Sequence, residues 1–98
     1  MKHICITIGM AMILILPFTA QAGQASPSIL ADACAACHGS DGKSPSTIPS
    51  IQGKSLDYMV QRLMAFKSGK REGTVMNRIA KGYSDAEIAA IAKYLASK

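Results

Sequence analysis

The residues best equipped for chemistry are Cys34-Ala35-Ala36-Cys37-His38. Two cysteines three positions apart on a helix face the same side, where each sulfur can add to one vinyl group of a haem. The histidine directly after them is then carried over the porphyrin plane, where a ring nitrogen can bind iron. This spacing is the attachment signature of c-type haem. Other chemistries fit less well. A thioredoxin-like redox pair needs a strand–helix–strand setting, and no segment here alternates with period two. A structural zinc site needs four ligands, and a disulfide across so short a loop stabilises little and leaves His38 unexplained.

The positioning elements begin after a leader. Met1-Lys2-His3 is basic, an apolar run extends from Ile4 to Phe18, and Ala20-Gln21-Ala22 presents the small-x-small pattern cut by signal peptidase. The run is short for a membrane span, so removal of residues 1–22 is expected, leaving one domain over residues 23–98. Gly23-Gln24-Ala25 offers a second possible cut. Cys5 and His3 leave with the leader, which deprives a zinc site of its fourth ligand. The product would be exported to the periplasm with no stable membrane span, where haem attachment takes place.

A domain this small is near the limit for an ordinary apolar core, and a large covalent cofactor would serve as its centre. Charge is unevenly placed: Lys54, Arg62, Lys67, Lys70, Arg71, Arg78 and Lys81 face only Asp57 and Glu72 in the same stretch. Export and the lack of a dense basic run argue against nucleic acid. Solvated helix faces and an electrostatic docking surface both account for the charge.

Periodicity predicts an all-α fold. A first helix starts near Ser26-Pro27-Ser28 and reaches about Cys37, followed by a loop from Gly39 to Gly53. Ser55 caps a second helix over Leu56 to about Ser68, with Gly69 as its stop and Leu56, Met59, Val60, Leu63 and Phe66 as its apolar face. A short turn covers Asn77 to Lys81. Ser84 and Glu87 form a capping box for the last helix, whose stripe is Ile88, Ile91, Ala92 and Leu95, with Tyr94 beside it to cover the first helix.

The segments CAACHGSDGK (34–43), IPSIQG (48–53), Tyr58 to Gly69 with its FKSG, and VMNRIAKGYSDAEIAAIAKYL (75–95) resemble a class I cytochrome c. They are most similar to the cytochrome subunit of flavocytochrome c sulfide dehydrogenases and to single halves of two-domain dihaem cytochromes c. The resemblance covers nearly all of the mature chain. It implies a small fold of helices wrapped around one covalent haem c, since there is a single C-x-x-C-H and no second domain. Among Met59, Met64 and Met76 it assigns the sixth iron position to Met76; the other two sit within a helix, where methionine is ordinarily core packing. It also implies that the Pro49 carbonyl accepts a hydrogen bond from His38, strengthening the ring as a ligand.

With His38 and Met76 on opposite sides the iron would have no open position, which suits electron transfer rather than catalysis. The expected role is a non-enzymatic electron-transfer protein, and the resemblance points to the haem subunit that accepts electrons from a sulfide-oxidising flavoprotein. A free soluble carrier to a terminal oxidase or reductase is the alternative, and a haem-based ligand binder or sensor would require a sixth site that opens. Intact-mass measurement of periplasmic protein should show loss of residues 1–22 and gain of one haem. A full-length haem protein retained in the membrane would overturn the leader assignment.

Overall fold

A computed structural model describes residues 25–98 together with Ile15 and Pro17; the expected leader otherwise, and its cleavage site, lie outside the described residues. The described residues form four α-helices in order, α1 (Pro27–His38), α2 (Leu56–Ser68), α3 (Met76–Lys81) and α4 (Asp85–Ala96), with a 3₁₀ turn at Ser40–Gly42. Among the described residues there is no strand, and the all-α expectation holds.

Local chemistry explains the boundaries. Ser26 accepts a hydrogen bond from the Ile29 amide, and Pro27, whose fixed φ suits a first helical position, opens α1. The helix continues to His38, one residue beyond the expected end. Ser55 accepts from the Tyr58 amide at 3.1 Å, and left-handed Gly69 (φ 81°) closes α2. Helix α3 takes in Met76 as its first residue instead of beginning after it. In α4 both halves of the capping box form at 3.1 Å, satisfying two amides that the helix itself leaves unpaired.

The main packing contacts run α1–α4–α2–α3. Their buried cluster is Ala31 from α1, Met59 from α2, and Ile91, Ala92 and Leu95 from α4. Leu30, Val60, Leu63, Tyr83 and Tyr94 pack around it while keeping some exposure. Tyr94 thus flanks the first helix as expected, and Tyr83 joins it by donating its hydroxyl to the Leu30 carbonyl at 3.3 Å. Two expectations for α2 are corrected. Leu56, in the first turn of α2, stays 45% exposed, and Met64 is only half-buried and outside the buried cluster.

Because Ile91 is 1% exposed at the centre of this cluster, Ile91→Ala should lower the unfolding free energy of the holoprotein by about 2–5 kcal/mol. Ser84→Ala should cost about 1 kcal/mol through the lost cap. Denaturant titration followed in the far ultraviolet checks both, and the visible spectrum of each folded variant should match that of the parent protein.

Candidate haem site

Cys34 and Cys37 are free thiols on the last turns of α1, the first half-buried and the second exposed. Burial pushes the Cys34 thiol up, and a hydrogen bond to its own backbone opposes the shift. The Tyr83 phenol is also pushed up, by burial first and then by the neighbouring Cys34 and Glu87 charges.

His38 ends α1 with Nδ1 2.6 Å from the Pro49 carbonyl oxygen. A carbonyl only accepts, so Nδ1 carries the proton and Nε2 keeps a free lone pair. The bond aims the ring and fixes its tautomer, which is what a metal-binding imidazole needs. The loop is shaped to supply that carbonyl. Gly39 turns out of the helix at φ 84°, and a Cβ there would collide with the Lys43 carbonyl oxygen. The Gly42 carbonyl then accepts from the amides of Ile51 at 2.8 Å and Gln52 at 3.1 Å, while the Ser44 amide donates to Ser50 Oγ at 2.9 Å. These bonds fold residues 39–53 back on themselves and bring Pro49 to the end of α1.

Met76 is half-buried at the start of α3, the far end of the α1–α4–α2–α3 series of contacts from His38. The structure thus joins His38 with Pro49 and puts Met76 on a separate element. Of the competing methionines, Met59 belongs to the buried cluster. Two residues without an assigned role in the sequence reading prove to organise the surroundings. Tyr83 ties the chain after α3 to α1, and Asn77, directly after Met76, bonds three backbone groups. The amide next to the methionine was the available signal for Asn77.

These residues fit a covalent haem. Both thiols are unpaired, the imidazole presents one free nitrogen, and Ile48 (38% exposed) and Val75 (51% exposed) offer apolar side chains immediately before Pro49 and Met76. Among the described residues no three His, Cys, Asp or Glu side chains are grouped to hold a metal ion.

Comparison with known proteins agrees with the geometry. The family described as Cytochrome c matches residues 22–98. The chain belongs to the cytochrome c family. Membership makes this cytochrome an electron carrier with covalently bound haem c, not an enzyme in its own right. It is 51% identical over 78 residues to the cytochrome subunit of sulfide dehydrogenase from Chlorobaculum tepidum, covering 80% of this chain and 67% of that one. It is 34% identical to cytochrome c4 of Pseudomonas aeruginosa over 95% of this chain, but spans only 45% of that protein. A solved cytochrome c4 structure from Acidithiobacillus ferrooxidans superposes with a TM-score of 0.63 at 41% identity, over 67% of this chain and 38% of that one. Within the described residues of this cytochrome, no helix is long and apolar enough to cross a membrane.

Glycine positions test the loop. Gly39→Ala should abolish accumulation of holoprotein, because its Cβ would collide with backbone. Gly53→Ala meets nothing within 4 Å and should cost only about 1–2 kcal/mol for its positive φ. Haem-stained yield from periplasmic extracts distinguishes the two.

Proposed function

We propose that this chain is a periplasmic monohaem cytochrome that passes single electrons through an iron ligated by His38 and Met76, with Cys34 and Cys37 as the thioether attachments. The observation that carries this reading is the His38–Pro49 hydrogen bond, which leaves Nε2 as the available donor at the end of the C-x-x-C-H helix. When bound, the haem supplies the one-electron ferrous/ferric couple. The chain's own contribution is to hold two donors in fixed places, so that electron exchange requires little rearrangement. A thioether from Met76 favours the reduced iron and raises the potential.

The partner in this reading is a sulfide-oxidising flavoprotein, to which this cytochrome is bound as a subunit. Similarity to a protein named as a sulfide dehydrogenase cytochrome subunit supports it. The flavoprotein would perform the sulfur chemistry and this chain would relay electrons. The exposed basic residues Lys54, Lys70 and Arg71 favour a second reading, a free carrier that meets acidic redox proteins.

Two measurements test the proposal. Met76→Ala should remove the absorption band near the red edge of the visible spectrum that marks sulfur bound to ferric iron, lower the potential, and admit carbon monoxide to the reduced protein. Met64→Ala should retain the band. The opposite pattern would displace Met76 as the ligand. A subunit should stay associated with its flavoprotein as salt rises, whereas an encounter complex loses on-rate because exposed charges are screened over about 8–10 Å. A native protein that is monomeric at every ionic strength, with a haem never reduced by sulfide and flavoprotein, would refute the subunit role.

A further inference from the structure

We propose that Asn77 is the positioning residue for Met76, clamping the strap of residues 69–76 onto the C-terminal turn of α2 so that the methionine sulfur is held in place. The inference rests on the proposed ligation by Met76 and adds what keeps that ligand from swinging away.

The clamp is a single half-buried amide with three backbone partners. Oδ1 accepts the Gly73 amide at 2.8 Å. Nδ2 donates to the Phe66 carbonyl at 2.9 Å and to the Arg71 carbonyl at 2.7 Å. One acceptor and two donors meet groups of the opposite kind, which fixes the amide in one of its two flips. Phe66 lies in the last turn of α2, where its carbonyl also receives the Gly69 amide at 3.3 Å. Arg71 and Gly73 lie on the strap itself. Asn77 therefore joins the start of α3, the middle of the strap and the end of α2.

Packing reinforces the bonds. A Cβ on Gly73 would sit 2.9 Å from Phe66 Cε1 and 3.3 Å from the Met76 Cβ, so the strap lies flat between the aromatic ring and the stem of the methionine. The Arg71 guanidinium rests over the same ring, 5.7 Å from its centre. Helix α3 cannot place Met76 unaided. It has six residues, and its N-cap, Val75, makes no side-chain capping bond. So short a helix is not stable alone. Its position comes from packing on α2 and from the residue directly after Met76.

A thioether is a neutral ligand that leaves iron easily when its loop moves, and residues that orient a ligand typically change metal affinity by about 10–100-fold when removed. In ferric holoprotein, imidazole competes for the sixth position whenever the sulfur departs, so its affinity reports the open fraction. Asn77→Ala should raise imidazole affinity by about 10–100-fold and weaken the sulfur–iron band. Asn77→Asp keeps the acceptor for Gly73 but loses both donations, and should also raise imidazole affinity. Ser84→Ala, which loosens the α4 cap away from the strap, should leave both readouts unchanged.

The inference is overturned if Asn77→Ala binds imidazole as the parent protein does with an undiminished band, or if Ser84→Ala raises the affinity equally. Should Asn77→Ala yield no holoprotein, Asn77→Asp decides by the same criteria. Met76→Ala separates the two levels. If it retains the band, the ligand assignment fails and the clamp with it; if it loses the band while Asn77 variants behave as the parent, only the clamp fails.

Discussion

The arrangement depends on the absence of a side chain at Gly39. Its Cα approaches the Lys43 carbonyl so closely that a Cβ would collide with the oxygen. That approach lets the chain leave α1 and reverse at once. The reversal brings the Pro49 carbonyl to His38 Nδ1, and the resulting bond selects the imidazole tautomer. With any other residue at position 39 the turn would open and His38 would lose the acceptor that aims it. A steric constraint on the residue after the motif thus sets the electronic character of the motif's last member.

Two kinds of cohesion divide the molecule. The buried cluster lies where α4 meets α1 and α2, and none of its members comes from the 39–53 loop or from α3. Ile51 of the loop packs against that cluster and α3 packs on α2, while directed hydrogen bonds to backbone orient the segments bearing Pro49 and Met76: the Gly42 carbonyl in one and the Asn77 amide in the other. Apolar burial is non-directional, whereas hydrogen bonds impose distance and angle. The placement suits the task, since donors to a metal need orientation more than they need burial.

The sequence made both ends of α2 and the start of α4 readable because their signals are local. Ser55, Gly69 and the Ser84–Glu87 pair act on amides and carbonyls a few residues away, and the structure has them at those positions. The fold class and the haem motif were readable for the same reason: spacing alone carries them. The exposure of Leu56 was not, because helical spacing assigns a residue to a face and does not say how fully the end of that face is covered. Asn77 escaped for a related reason. Its partners, Phe66, Arg71 and Gly73, lie 4 to 11 residues back along the chain and come within reach only after the strap has folded. The steric demand at Gly39 was likewise hidden, since a glycine after a helix reads as an ordinary stop until the Lys43 carbonyl is in view.

The basic stretch also changes meaning once its side chains are placed. Lys54 and Arg62 lie 5.3 and 4.8 Å from the centre of the Tyr58 ring, and Arg71 rests over Phe66. A cation held over an aromatic face keeps its full charge while losing freedom, so these contacts fix the charges without neutralising them. Lys67 is different: Asp85 compensates it at 2.7 Å across the α2–α4 junction, a bond that serves the fold. The stretch is therefore neither a row of freely solvated lysines nor a uniform patch. Part of it binds helices together, and part is a fixed positive surface along α2 that continues through Arg71 onto the strap bearing Met76. If Met76 ligates the iron, the positive field is mechanically attached to the ligand side of the cofactor, and an acidic partner drawn by it arrives on that side.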